Sequence, residues 1–531
     1  MKLDPVTQEF VNNNAKDCSN VPMTLRQILL HLCGAVFITL LLFYRWDYFL
    51  FAVTVFLSFW YLSSAFFKVG AATASLSGVG EKRPDSAEIG AIKDEDLPIY
   101  TILLPLYKEA NIAGKIIKNM EQLDYPSDKL DIKLLLEADD DATRQAVLNC
   151  NLPAHYELII IPDFQPKTKP RACNFGLKQA RGEFCVIYDA EDRPDPDQLK
   201  KAVTVFSGSD EHLACVQAKL NYYNSNQNLL TRLFTIEYST TFDLMLPGMS
   251  AFKLPLPLGG TSNHFRTGVL RQTGGWDPFN VTEDCDLGIR IYKYGYKTTV
   301  VDSTTWEEAN SEWWNWIRQR SRWVKGFIQT HFTHMRHPLR TLKGLGLWGM
   351  FGFYLSVGAS SFMMLINVFY WIVAAAYILL LAHGVHYGLH LAEMVRGPHE
   401  HLSYTGFELG SFYFKAWPLF YYGAGESVFW SRLSIAFFCV SMTLLVVNFM
   451  LLGIHALACA RRKRYDLLPY VLLMPFYWVM ISVGAWKGFL QFFTKPFYWE
   501  KTIHGLDETG IADNNELSKP QCPETVPDSE N

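Results

Sequence analysis

Several large protein classes are excluded by what this 531-residue sequence lacks. Its ten cysteines contain no C-x-x-C pair and no regular spacing, which argues against a zinc ribbon or a disulfide scaffold and suits a reducing compartment. No G-x-x-x-x-G-K-[ST] loop occurs, so a P-loop nucleotide site is excluded. Neither sign of charge dominates. With 48 Lys and Arg against 52 Asp and Glu, the net charge is −4, and a broadly basic nucleic-acid binder is ruled out. No internal repeat is evident, and the composition is neither collagen-like nor that of a disordered chain. What is present is segregation. A content of 49 % hydrophobic and 15 % aromatic residues is heavy for a soluble protein, yet 19 % charged is too many for a chain made only of spans.

Uncharged runs locate the apolar parts. After an N-terminal segment (1–25) expected on the cytoplasmic side, Ile28 to Tyr44 and Tyr48 to Phe67 are separated only by Arg45, Trp46 and Asp47. Each covers most or all of a hydrocarbon core of about 30 Å, so residues 26–68 read as a transmembrane hairpin. No small-residue cleavage site follows the first run, which distinguishes it from a signal peptide. A globular composition follows, with a catalytic-domain candidate over 95–340. Transmembrane and interfacial helices are expected over 344–495. No charged residue lies between Lys343 and Glu393, room for one tilted span plus an interfacial segment or for two tight spans. Leu433 to Ala460 is another span, closed by Arg461, Arg462, Lys463 and Arg464 on the cytoplasmic face. Leu467 to Phe493 suits an interfacial helix as well as a crossing one. A short segment, 496–506, follows these helices, and 507–531 read as a disordered tail. His383, His386, His390, His399 and His401 match no common ligand spacing and read as a loop.

Within 95–340, β-rich apolar runs at Pro98–Pro105, Ile132–Leu136, Glu157–Ile161 and Phe184–Tyr188 alternate with helical stretches. That alternation implies an α/β fold with a mostly parallel sheet, in which ligands sit beyond the carboxyl ends of the strands. Acidic clusters fall there: Glu137, Asp139, Asp140 and Asp141 after one strand, Asp189, Glu191 and Asp192 after another. Alone, each also reads as a solvated loop or a helix N-cap. Two clusters at one sheet edge can instead hold a hard divalent cation that takes its remaining oxygens from substrate phosphates.

Further along stand Thr282-Glu283-Asp284 and Gln319-Arg320-Ser321-Arg322-Trp323. Taken with Asp189-Ala190-Glu191, they resemble the D-x-D, T-E-D and Q-x-x-R-W signature of membrane-integrated family 2 glycosyltransferases, which include cellulose, chitin and hyaluronan synthases. The wording of Tyr188–Pro196 and Phe497–Gly505 is similar to the phage-adsorption protein B-like branch. The likeness covers roughly residues 95 to 505. It implies a GT-A (nucleotide-diphospho-sugar transferase) domain inserted between transmembrane helices.

The resemblance also implies roles. Pro105, Tyr107, Glu109, Glu137 and Asp139 or Asp140 match the region that holds the nucleoside, and Lys169 and Arg171 match a segment near it. Asp189 and Glu191 take the D-x-D place, Asp189 toward the nucleotide diphosphate and both toward Mg²⁺ or Mn²⁺. The second acid is Glu rather than Asp, and Asp192 is an equally reachable ligand. Asp284, beside Glu283, is the expected general base for an acceptor hydroxyl, with Arg322 as the cation that faces the leaving diphosphate. Gln319 and Trp323 would hold the acceptor sugar, as would the small residues Gly260, Thr261 and Ser262. Lys501, Thr502 and His504 resemble a gating loop that closes over the nucleotide, which requires a cytoplasmic C-terminus and an even number of crossings after the catalytic domain.

The function implied is an inverting, processive β-glycosyltransferase at the inner membrane. It takes a UDP-sugar donor and a growing glycan acceptor, sits in the lipid bilayer and uses no nucleic acid. An export partner is compatible with it, though no residue calls for one. Two alternatives stay open: transfer of a single sugar to a polyprenyl phosphate, and a catalytically weak export or assembly component.

Overall fold

The computed structural model describes residues 3–369 and 446–502, with 372 and 505 singly. Nine strands form one sheet: β1 (Glu81–Lys82), β2 (Tyr100–Leu106), β3 (Leu130–Glu137), β4 (Tyr156–Ile161), β5 (Phe184–Ile187), β6 (Arg193–Pro194), β7 (Leu213–Tyr222), β8 (Asn263–Arg266) and β9 (Lys297–Glu307). Their order is β1-β9-β7-β8-β5-β2-β3-β4, with β6 paired to β9. Every pairing is parallel except those of β8 with β5 and β7 and of β6 with β9. The fold is the expected α/β domain with a mostly parallel sheet. Its central strands are short Leu, Ile and Val runs buried on both faces, as helices packed above and below a parallel sheet require.

The antiparallel β8 has a particular effect. Because it runs against its neighbours, the loop that enters it, Gly259 to Ser262, lies at the same sheet edge as the carboxyl ends of β2, β3, β5 and β9. The domain also reaches further than 95–340. Two residues at 81–82 form its edge strand, too short a run to register as a strand in sequence. The first residues of the chain join it as well: helix Pro5–Asn13 is capped by Asp4, and Asp4 is buried against Arg171 in an ion pair of 2.9 Å.

Four helical stretches among the described residues are long and apolar enough to cross a membrane: Leu25–Tyr44, Val55–Leu76, Pro338–Phe369 and Tyr465–Thr494. The first two belong to one run that is helical from Leu25 to Leu76. It does not run straight. His31 meets Phe332, Phe332 meets His331, His331 meets Tyr354 and Tyr354 meets Trp60, with ring centroids 5.4, 5.8, 5.5 and 6.2 Å apart. Twenty-nine residues of straight helix would separate His31 from Trp60 by about 43 Å, so the run folds back between them. The third stretch starts at Pro338, earlier than the uncharged run suggested. The expected span over 433–460 is described from Val446, and the five histidines from 383 to 401 and the tail after 505 lie outside the described residues. Over 467–493, Tyr465–Leu473 is a 3₁₀ helix with Pro469 inside it, and Pro475 opens the α-helix Met474–Thr494, where its missing N–H costs nothing.

Helix Trp313–His334, which carries Gln319 to Trp323, packs along Met474–Thr494. The approach is close at two glycines one turn apart. A Cβ at Gly484 would lie 2.7 Å from Cβ of Arg320, and one at Gly488 would lie 2.4 Å from the Ser321 carbonyl oxygen. Small residues at this spacing let helix backbones meet. Gly248 plays the same part against the end of the Leu25–Leu76 run, where a Cβ would sit 1.9 Å from the Ala71 carbonyl oxygen.

Candidate active site

The sheet edge supplies most of the site. Leaving β2, the chain presents Pro105, Tyr107 and Glu109; β3 ends in Glu137; β5 is followed by Asp189 and Glu191; and Gly259 to Thr261 enter β8. Glu283 and Asp284 open helix Glu283–Lys293, with Thr282 at its N-cap. A Cβ at Gly326 would fall 2.3 Å from Oγ1 of Thr282, so helix Trp313–His334 is set hard against that turn and brings Gln319, Arg322 and Trp323 to the acids. All of these side chains or loops line one cavity of about 630 Å³. It continues between the apolar helices, where Tyr61, Lys68, Met364, His455 and Trp478 line it.

Cation and anion positions alternate around the edge. Lys169 Nζ lies 2.5 Å from Oδ1 of Asp189 and donates to the carbonyl of Gly260 at 2.7 Å. Burial works against the Lys169 ammonium, but Asp189 and Glu283 outweigh it and hold it above the ordinary lysine range. Burial pushes Glu283 up to about 8, assisted by Asp284, and Asp284 up to about 6, against Lys169 and Arg322. The Asp284 carboxylate accepts the N–H of Cys285 at 2.8 Å, and its Oδ2 would lie 3.7 Å from a Cβ at Gly260. Burial pulls Arg322 below the ordinary arginine range, opposed by the nearby Glu283, Asp189, Asp284 and Glu191. Its guanidinium rests 4.7 Å from the ring of Trp499. Gln319 accepts from Asn310 at 2.9 Å, and one side of Trp323 is stacked on Tyr238 with centroids 6.1 Å apart.

Around Asp189 the negative charge exceeds what Lys169 neutralises. Burial raises Glu191 to about 8, with Asp189 and Glu109 adding to it, and raises Glu307 well above the carboxylate range, with Asp192, Glu191 and Asp189 adding to it. Among the described residues no group of three or more His, Cys, Asp or Glu surrounds a single point as a metal cage would. Two cavity-facing carboxylates, Asp189 and Glu191, fit instead a Mg²⁺ or Mn²⁺ ion that substrate phosphates help to hold. Asp192 does not belong to that set. It is buried and turned inward, accepting the N–H of Asp189 at 2.8 Å and the hydroxyl of Thr261, because the tight turn after β5 needs an acceptor there.

Four other expected site residues lie off the cavity. Asp139 pairs with Lys167 at 2.5 Å on the outer surface. Asp140 caps helix Asp141–Leu148 through the Thr143 N–H and accepts the N–H of Lys108, the N-cap task an acid after a strand often has. Arg171 is fully buried behind Glu137, contacting it at 3.3 Å while also holding Asp4 and the Pro162 carbonyl. Ser262 donates to Thr305 at 2.6 Å inside the sheet. In the C-terminal segment, Lys501 donates to the Tyr107 and Lys108 carbonyls and lies 3.4 Å from Glu109, and Thr502 lines the cavity beside it. His504 lies outside the described residues. Sequence reading missed Glu307 and Trp499. Glu307 follows the same strand-end rule as Asp189, whereas Trp499 is brought in only by the chain's return from the apolar helices.

Residues 184–385 match the family described as glycosyl transferase family group 2. The chain is 28 % identical over 288 residues to a probable glycosyltransferase, YdaM, of Bacillus subtilis, covering 52 % of this chain and 68 % of that protein. It is 27 % identical over 250 residues to glucomannan 4-beta-mannosyltransferase 2 of Arabidopsis thaliana, covering 46 % of each, so it spans about half the length of such plant relatives. Among solved structures, a mannosyltransferase from Pyrobaculum calidifontis in complex with GDP-Man and Mn²⁺ aligns over 63 % of this chain and 93 % of its own, with 19 % identity and a TM-score of 0.40. Over residues 184–385 the chain thus matches a family 2 glycosyltransferase domain, and the curated proteins it resembles are named glycosyltransferases.

Proposed function

We propose that the protein is a membrane-embedded, inverting, processive β-glycosyltransferase that extends a polysaccharide from a UDP-sugar at the cytoplasmic face of the inner membrane. The observation that carries this reading is the single cavity that runs from Asp189 and Asp284 into the space between the apolar helices. A polymer growing at Asp284 has a continuous path past Trp323 toward Trp478, whereas a soluble transferase needs no such extension.

In this mechanism Asp284 removes the proton of the acceptor hydroxyl as that oxygen attacks the anomeric carbon, and the nucleotide diphosphate leaves from the opposite face. Gly260, lacking a side chain, leaves Asp284 Oδ2 uncovered on that side for an acceptor hydroxyl. Arg322 and Lys169 meet the charge that grows on the leaving phosphate. A divalent cation held by Asp189 and Glu191, when bound, supplies further neutralisation of that diphosphate. Lys501, Thr502 and Trp499 close the nucleotide side and exclude water. Tyr107, Glu109 and Glu137 shape the nucleoside pocket, with Arg171 fixing Glu137 from behind.

The test is nucleotide release by the full chain in nanodiscs, with Mg²⁺ or Mn²⁺, across UDP-sugars and GDP-mannose, with products sized afterwards. GDP-mannose belongs in the panel because the plant relatives are named mannosyltransferases. Metal-dependent release with one UDP-sugar and long products is the expected result. A short lipid-linked product would replace polymerisation by single-sugar transfer, and turnover with GDP-mannose alone would replace the donor.

A further inference from the structure

From the membrane end of the cavity we infer that the acceptor carries an anionic group, a carboxylate or a phosphate, and that Lys68 binds it. The inference rests on the glycosyltransferase reading above and adds to it the chemical class of the acceptor. Lys68 lies in the apolar stretch Val55–Leu76, and its side chain is exposed while lining the cavity. A lysine within such a stretch is costly and marks a functional site when it faces a cavity.

Among the described residues Lys68 has no hydrogen bond and no ion pair. The acid that faces it, Glu237, is already engaged: Arg320 Nη1 donates to it at 2.8 Å, its second nitrogen donates to the other carboxylate oxygen, and Tyr477 donates its hydroxyl at 2.7 Å. The nearby imidazole of His455 is joined to the Thr240 hydroxyl at 2.6 Å. The remaining lining at this depth includes Leu451, Ile454 and Met364, which offer no counter-charge. Among the described residues Lys68 is the cation open to the cavity at this depth, and a ligand oxyanion completes it.

The opposite end of the same cavity points the acceptor. At that end Lys169 is paired with Asp189, and Arg322 and Lys501 stand on the donor side, so the acceptor side beside Asp284 holds no open cation for an anionic group, which Lys68 offers at the other end. A neutral hydroxyl is then the end presented to Asp284. The oxyanion has two sources of equal chemistry: a uronic-acid carboxylate on a glycan, or the phosphate of a lipid-linked acceptor.

The experiment measures equilibrium binding to the full chain in phosphatidylcholine nanodiscs, read by intrinsic tryptophan fluorescence, for matched neutral and anionic probes. The pairs are a neutral oligoglucoside against an oligoglucuronate, and undecaprenol against undecaprenyl phosphate. The wild type is expected to prefer the anionic member of one pair by about tenfold or more. Lys68→Gln abolishes that preference, and Lys68→Arg keeps it, which also shows that the site still folds. Preference for the glucuronate names a glycan source, and preference for the phosphate names a lipid one. Equal binding of both members of both pairs overturns the inference. So does an equal loss for neutral and anionic probes in Lys68→Gln, which assigns the lysine to packing or to the headgroups. Because binding is read without turnover, failure to release nucleotide from any donor counts against the glycosyltransferase reading alone.

Discussion

Lys169 joins two halves of the site: its ammonium is 2.5 Å from Asp189, on the donor side, and 2.7 Å from the carbonyl of Gly260, on the acceptor side. The same ammonium competes with any divalent cation for the Asp189 carboxylate. Lys169→Gln is therefore expected to lower kcat/KM by about one to two orders of magnitude and to reduce the metal concentration needed for half-maximal activity. Metal titrations of the two proteins at one donor concentration check both effects. An unchanged metal requirement would show that the pair does not persist during turnover.

Asp284 works as a base only when ionised. Its carboxyl is raised to about 6 by burial, so kcat/KM is expected to increase with pH through about 6 and to level off above it. Asp284→Asn should remove that limb and cost about 10²- to 10⁴-fold in transfer, with nucleotide binding retained. A pH series on the wild type and one donor-binding isotherm on the variant are enough.

Gly488 has no room for a side chain. A methyl group there would meet the Ser321 carbonyl at 2.4 Å, and backbone cannot yield as a flexible side chain does. Gly488→Ala is expected to destabilise the chain by about 1–3 kcal/mol and to reduce turnover more than donor affinity, because the displaced turn carries Arg320 to Trp323. Thermal unfolding in detergent and a separation of kcat from KM read the two effects. Gly453→Ala, at a position where a Cβ meets nothing, is the neutral control.

Asp4 is far from the site residues in sequence and does not line the cavity, yet it holds the Arg171 that backs Glu137. Asp4→Ala leaves a buried guanidinium with one partner fewer. The expected cost is about 3 kcal/mol of stability and a raised KM for the donor with kcat little changed. A fall in kcat at constant KM would place Glu137 outside the nucleoside pocket.

The acidic strand ends illustrate what could be read without a structure. The edge of a parallel sheet was legible from the alternation of apolar runs and helical stretches, and with it the positions of Glu137, Asp189 and Glu191. Choosing among adjacent acids was not. Asp139, Asp140 and Asp192 differ from their neighbours only in which way a turn points them, and that is decided by Lys167, the Thr143 N–H and the Thr261 hydroxyl, contacts that no spacing rule contains. Arg171, expected near the nucleoside, sits behind Glu137 for a longer-range reason: its partner Asp4 comes from the N-terminal segment, and the pairing exists only after the fold has formed. The helix that bears Arg322 and Trp323 was legible by motif, while its fastening at Gly484 and Gly488 depends on two glycines that, in a stretch read for hydropathy, look like interruptions.

That fastening has a mechanical corollary. With no side chain between the helices at Gly484 and Gly488, a tilt of the apolar helix bears directly on the one beside it. Bilayer thickness sets such tilts. In the proposed membrane-embedded transferase, bilayer thickness would therefore bear on the placement of the Arg322 guanidinium, and nucleotide release in nanodiscs of shorter and longer acyl chains reads that dependence.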